Sequence, residues 1–191
     1  REAKHPSRPT EMSAWTGIVM TETVSYEPAG TVGGVEIRRY PLLVLASVRD
    51  GEDESGFRLL FAFITGSNRA RRTIPMTAPV ITPVEIAMTA PVISGAGRIS
   101  FVMPAGMKVE EVPEPVDGRI GIETVPARTL AVARFAGRAR PDEVGAVTRQ
   151  LLADLESAGI ATRGAPFLMR YDSPLTPGFL RRNEVAVEIG P

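Results

Sequence analysis

The sequence lacks cysteine altogether and has one histidine, His5. Without thiols there can be no disulfide, no iron–sulfur cluster, no thiolate nucleophile and no cysteine zinc site. With a lone imidazole in the N-terminal stretch, Ser–His–Asp triads and His-ligated zinc or iron have almost nothing to build on. A chain free of cysteine tolerates reducing and oxidising compartments alike. Neither sign of charge is in excess, since Lys+Arg is 22 and Asp+Glu is 22. General nucleic-acid binding draws its affinity from surplus Lys and Arg, so a nucleic-acid partner is not expected. No run of about 18 apolar residues occurs, so no membrane-spanning helix is expected. The first residue is Arg1 rather than Met. A native N-terminus is therefore taken to be missing; a cytoplasmic location is favoured, with export left open.

What remains is ordinary for one soluble domain. The 191 residues are 43% hydrophobic and 23% charged, enough to bury a core without a staple. Residues 1–24 read as a flexible tail with two prolines, mixed charge and a weak apolar cluster at Trp15, Ile18 and Val19. The domain is expected over 25–191. Val35 to Tyr40 alternates apolar and polar, the period of a half-buried strand. Pro41 interrupts it, and Leu42 to Val48 resumes as a buried strand. Phe57, Leu60, Phe61 and Ile64 then follow the i, i+3, i+4, i+7 spacing of a helix. Leu59 and Phe63 add a second apolar face, so that helix is either buried on two sides or lines a cleft. Gly66 and Asn68 punctuate its end.

Ile74-Pro75-Met76-Thr77-Ala78-Pro79-Val80 is echoed twelve residues later by Ile86-Ala87-Met88-Thr89-Ala90-Pro91-Val92. The prolines argue for two edge-like extended segments. Strands are expected at Arg98 to Met103, Arg119 to Thr124 and Thr129 to Phe135. Pro141 opens a helix with Asp142 and Glu143 in its first turn, where the dipole favours anions. Gly159 closes it. Strands at Pro166 to Tyr171 and Asn183 to Ile189 flank a proline-rich loop over 172–180. The order ββαββ thus occurs twice, and the class is α+β with a largely antiparallel sheet. Two such units could close into a barrel with one helix per half.

These residues resemble the SOUL haem-binding protein family. The resemblance rests on Val35 to Tyr40, Phe63-Ile64-Thr65-Gly66-Ser67-Asn68, the doubled Met-Thr-Ala-Pro-Val and Phe101-Val102-Met103-Pro104. It rests also on Val125-Pro126-Ala127-Arg128, Arg134-Phe135-Ala136-Gly137-Arg138, Tyr171-Asp172-Ser173-Pro174 and Leu180-Arg181-Arg182-Asn183-Glu184-Val185. The resemblance implies a distorted eight-stranded barrel flanked by two helices, similar to the gyrase-inhibitor-like ligand-binding fold. It implies reversible, non-covalent binding of haem or a related tetrapyrrole, of moderate affinity. The site would be a shallow apolar cleft between the first helix and the loop before the last strand. Matched residue by residue, the helix contributes Phe57 and Phe61, and the loop region Tyr171, Leu175 and Phe179. The sequence departs from the family where some members carry a proposed axial histidine, since that position is Arg39. A guanidinium offers no lone pair to iron. A lysine suited to a propionate in another relative is replaced by Ala62.

Each candidate has a plainer reading. Phe57 and Phe61 are equally core residues of an amphipathic helix. Tyr171 as a phenolate iron ligand competes with a strand-end tyrosine whose ring is buried and whose hydroxyl is wet. Met76 and Met88 as thioether ligands compete with gap-filling. Arg58, Arg69, Arg71 and Arg72 suit propionates, or form a solvated basic turn. Glu36 and Glu184 on strands suit a structural ion pair with arginine better than acid–base work. No metal site protein-side is expected. A carrier, buffer or sensor of tetrapyrrole is favoured over an enzyme acting in the same cleft. A protein-interaction module that has lost its ligand is the third reading.

Overall fold

The computed structural model describes residues 22–49, 53–84, 97–172 and 176–190. The second Met-Thr-Ala-Pro-Val, His5, Trp15, Ile18, Val19, Met88 and Leu175 lie outside the described residues. Among the described residues ten strands and two α-helices form, in the order β1 (Glu22–Thr23), β2 (Glu27–Val32), β3 (Val35–Tyr40), β4 (Leu43–Arg49), α1 (Asp53–Ile64), β5 (Thr77–Pro83) and β6 (Arg98–Val102). β7 (Ile120–Val125), β8 (Arg128–Ala136), α2 (Pro141–Ser157), β9 (Thr162–Arg170) and β10 (Arg182–Ile189) complete the chain.

The sheet order is β2-β3-β8-β10-β9-β5-β6-β4-β7, antiparallel throughout, with β1 added in parallel beside β5. The sequence duplication is visible in that order. The first unit, β3 to β6, forms the triplet β4-β6-β5, and the second, β7 to β10, forms β8-β10-β9. The triplets join at β5–β9, and each unit sends its leading strand to the far edge of the other's triplet. Pro41, between β3 and β4, stands where the chain crosses. The barrel expected from the sequence is corrected in its detail. Nine strands make the path rather than eight, and among the described residues no ladder joins β2 to β7. β2 adds an edge that carried no signal, because its side chains are nearly all exposed and so show no apolar alternation.

Strand alternation sorts the side chains to two faces. Val44, Ala46, Val48, Ile99 and Phe101 pack with Leu60, Phe63 and Ile64 of α1. Ala131, Leu168, Val185 and Val187 pack with Val144, Leu151 and Leu155 of α2. The opposite face carries Tyr40, Leu45, Val102, Leu130, Val132, Met169 and Ala186 in a single cluster. That cluster draws on both triplets, so the sheet is curled around it and this face is concave. Val24, next to β1, is buried in the same cluster, so the last residues of the expected tail are part of the fold.

The first Met-Thr-Ala-Pro-Val is not an edge. Its strand, β5, lies between β9 and β6. Pro79 is accommodated because the register with β6 slips between Thr77 and Val80, the place where the cis Ala78–Pro79 bond falls. A proline needs no ladder donor at such an irregularity.

Candidate functional site

α1 is held by close approach and by a side-chain cap. Gly56 faces β6, and a Cβ there would come within 2.4 Å of Ile99 Cγ2. At the other end Asn68 is buried. Its Nδ2 donates to the Phe63 and Arg72 carbonyls at 2.9 and 2.6 Å, and its Oδ1 accepts from the Arg72 amide at 3.0 Å. The first of these serves a carbonyl in the last turn of α1, and the other two tie the helix end to the segment that follows it. Docked this way, α1 turns Leu60, Phe63 and Ile64 inward, while Phe61 stays 47% exposed. Phe57 stands between. Its ring meets Phe101 edge-on at 5.2 Å and stacks on Phe61 at 6.2 Å. The apolar ridge that reaches from the core to the surface is therefore Phe57–Phe61.

Beside that ridge is a cleft of about 340 Å³. Phe57, Val80 and Ile99 give it an apolar wall, and Arg138, Arg170, Arg181 and Asn183 line it from the second unit. Glu54 and Asp172 are also at its edge. Alternation explains the selection: 170 and 172 point one way and 171 the other, as do 181 and 183 against 182 and 184. Asn183 ties the Gly137–Arg138 turn to β10 by donating to the Gly137 carbonyl at 2.9 Å. Arg138 then lies across Gly178, where a Cβ would come within 2.7 Å of its Cγ. A side chain at 178 would require the Arg138 side chain to move aside. Arg181 is braced by its Nε, which donates to the Thr176 carbonyl at 2.7 Å.

Of the residues singled out in the sequence, Phe57 is the one among the described lining of this cleft, and Phe61 stacks on it. Phe179, on the 3-10 turn Gly178–Leu180, is 77% exposed and is not among the lining residues. Arg58 pairs with Glu54 in solvent at 3.6 Å, and Arg69 pairs with Glu114 at 3.1 Å. The arginines of the cleft are instead Arg138, Arg170 and Arg181. All three stand in or beside motifs quoted for the resemblance, and what hid them was the absence of any local pattern linking three separate strands and turns.

Tyr171 points to the concave face, into a buried ionic network. Arg38 and Glu184 are 1% and 0% exposed and form a two-pronged pair at 2.7 and 3.1 Å. Arg38 also reaches Glu36 Oε2 at 2.9 Å and Tyr40 Oη at 3.3 Å, and lies 4.3 Å from the centre of the Tyr26 ring. Glu184 accepts two further bonds from Arg182, at 3.0 and 2.6 Å, and one from the Tyr171 hydroxyl at 2.7 Å. The ion pair expected for the strand glutamates is thus with Arg38. Burial alone would raise the Glu184 carboxyl, but hydrogen bonds from Arg38, Arg182 and Tyr171 outweigh it and hold the group below the usual carboxylate range. Burial, then the Glu184 charge, pushes the Tyr171 phenol well above its ordinary value. Its hydroxyl is engaged as a donor to Glu184.

The cleft thus sets an aromatic wall opposite a group of guanidinium side chains. Its described lining contains no histidine, methionine or tyrosine, and among the described residues no group of three or more His, Cys, Asp or Glu is placed to hold a metal. Nor is any described helix long and apolar enough to cross a membrane.

Comparison with solved structures shows where else this fold occurs. The C-terminal domain of EcmrR superposes with a TM-score of 0.55 at 14% identity, covering 86% of this chain and 98% of that one. EcmrR in a DNA complex superposes at 0.58 and 14% identity, covering 81% of this chain and 56% of that one. A hydrolase from Listeria innocua superposes at 0.55 and 8% identity, covering 82% and 91%. At these identities the likeness is one of fold alone. No curated protein matches the chain. The sequence of residues 21–188 matches the family described as SOUL heme-binding protein. That match spans the duplicated units, both helices and the cleft between them, and the chain belongs to the SOUL haem-binding family.

Proposed function

We propose that this chain binds haem or a related tetrapyrrole reversibly in the cleft beside α1, as a carrier, buffer or sensor. The observation that carries the reading is the joint placement of the Phe57–Phe61 ridge and the Arg138, Arg170 and Arg181 cluster on two sides of one opening. One porphyrin face lies on the aromatic ridge, and the propionates reach the arginines. The opening is at the low end of ligand pockets, which run from roughly 300 to 1,000 Å³, so part of the macrocycle stays in solvent. Larger ligands gain roughly 0.3 kcal/mol per non-hydrogen atom. About thirty contacting atoms then give about 9 kcal/mol, enough for micromolar binding or tighter. The chain's own contribution is to shield one face and fix the carboxylate edge. The bound group would supply its redox and ligand-binding chemistry, and none of the cleft residues is a strong iron donor.

Titration of the chain with haemin, followed by absorbance, tests this. A saturable one-to-one shift is expected, at least fivefold weaker in Phe61→Asp and in Arg138→Glu. Metal-free protoporphyrin should bind within about threefold of haemin, read by fluorescence, because recognition lies in the ring face and the carboxylates. Failure of haemin to saturate, or wild-type affinity in both variants, would rule the cleft out.

A further inference from the structure

A second opening lies on the concave face, across the sheet from α1. It measures about 280 Å³ and is walled by Leu45, Ile81, Val125, Pro166 and Phe167, with Arg98, Arg128 and Ser100 among its polar residues. A small apolar hollow at the middle of the same face shares Ile81, Arg128 and Phe167 with it, so the apolar floor is continuous. The two arginines differ in how they are held. Arg98 is paired with Glu123, which also accepts from the Ser47 hydroxyl at 2.6 Å. Arg128 has only a long contact from Nη1 to Glu188, at 3.5 Å, and its guanidinium lies 5.1 Å from the centre of the Phe167 ring. Its Nε is buried and has no acceptor among the described residues.

A buried charged donor without an acceptor calls for one. Nε with the neighbouring Nη forms a fork that matches a carboxylate, and lysine cannot reproduce it. The apolar walls exclude a fully hydrated anion as the best fit. We propose that this concave pocket is a second ligand site, distinct from the α1 cleft, and that it takes a small apolar carboxylate, aromatic or branched. The carboxylate sits on the Arg128 fork, and the apolar body lies against Phe167, Val125, Leu45 and Ile81. Ser100 adds no donor to the carboxylate: its hydroxyl is 2.7 Å from that of Ser47, and because Ser47 spends its proton on Glu123, Ser100 donates to Ser47.

Calorimetric titration of the full chain with 2-naphthoate, 2-naphthol and inorganic phosphate tests the proposal. 2-Naphthoate is expected to saturate at one per chain, at least tenfold tighter than either other probe. Arg128→Lys keeps the charge and loses the fork, and should weaken 2-naphthoate at least fivefold. Val125→Trp fills the pocket and should abolish binding without touching the arginine. Phe61→Asp, in the other cleft, should leave 2-naphthoate unaffected. The proposal is overturned if 2-naphthoate does not saturate, or if phosphate or 2-naphthol binds as tightly. It is equally overturned if either pocket variant, folded by circular dichroism, keeps wild-type affinity, or if Phe61→Asp loses 2-naphthoate. That last result would move the ligand to the α1 cleft.

Discussion

Replacing Arg38 by methionine probes the buried network directly. The guanidinium has two bonds to Glu184, one to Glu36 and one to Tyr40. Its loss leaves the wholly buried Glu184 carboxylate with Arg182 and Tyr171. Breaking one side of a buried pair costs about 3–5 kcal/mol. Arg182 still neutralises much of the charge, which puts the expected loss near the lower end, about 3 kcal/mol. With a urea dependence of about 2 kcal/mol per molar, the midpoint of unfolding should fall by about 1.5 M at pH 7. The pH dependence carries a sign as well. Glu184 is held below its ordinary pKa in the fold, so its contribution is complete above the usual carboxylate range. It is lost as pH falls through the depressed folded value. Without Arg38 the uncompensated burial raises the same group, and acid then relieves the variant by protonating it. The stability gap should therefore be widest at pH 7 and narrow by pH 4. Arg38→Met/Glu184→Met should recover most of the loss, because an apolar replacement of both partners is often neutral. A loss under about 1 kcal/mol at pH 7, or a gap unchanged at pH 4, would refute this account.

Two further perturbations test how α1 is positioned. Gly56→Ala should destabilise by about 1–3 kcal/mol through overpacking against Ile99, although alanine is the better helix former. Gly121→Ala, where a Cβ meets nothing within 4 Å, should stay within about 0.5 kcal/mol; equal urea midpoints for the two would sink the close-approach argument. Asn68→Ala should cost about 1–2 kcal/mol by removing its bonds to the Phe63 and Arg72 carbonyls and to the Arg72 amide. It should also speed amide exchange in the last turn of α1, read by hydrogen–deuterium exchange, before the strands are affected.

Much of the architecture was legible locally. The alternation of Val35–Tyr40 and Asn183–Ile189 marks strands with two unlike faces, and Pro141 with Asp142 and Glu143 opens α2 where the structure has it. The duplicated ββαββ order survives as two triplets. β2 stayed invisible because an exposed edge has no apolar period to read. The first Met-Thr-Ala-Pro-Val looked like an edge because its proline removes a donor. A register slip against β6, which local pattern does not encode, makes an interior strand possible.

The site divides in the same way. The sequence by itself placed an amphipathic helix with two apolar faces, put a tyrosine before the final strand and supplied a glutamate that needed an arginine. Residue type and period settle those things, because they act through the nearest few positions. Tertiary structure decided which face of α1 docks: Gly56 allows the helix to sit close on Ile99, and that contact leaves the Phe57–Phe61 ridge to the cleft. It also decided that Tyr171 serves Glu184 and that Arg138, Arg170 and Arg181 meet at one opening. These outcomes depend on segments tens of residues apart becoming neighbours, as where Val80 of β5 pairs with Arg170 of β9, and such pairing is set by the curl of the whole sheet rather than by any short stretch of it.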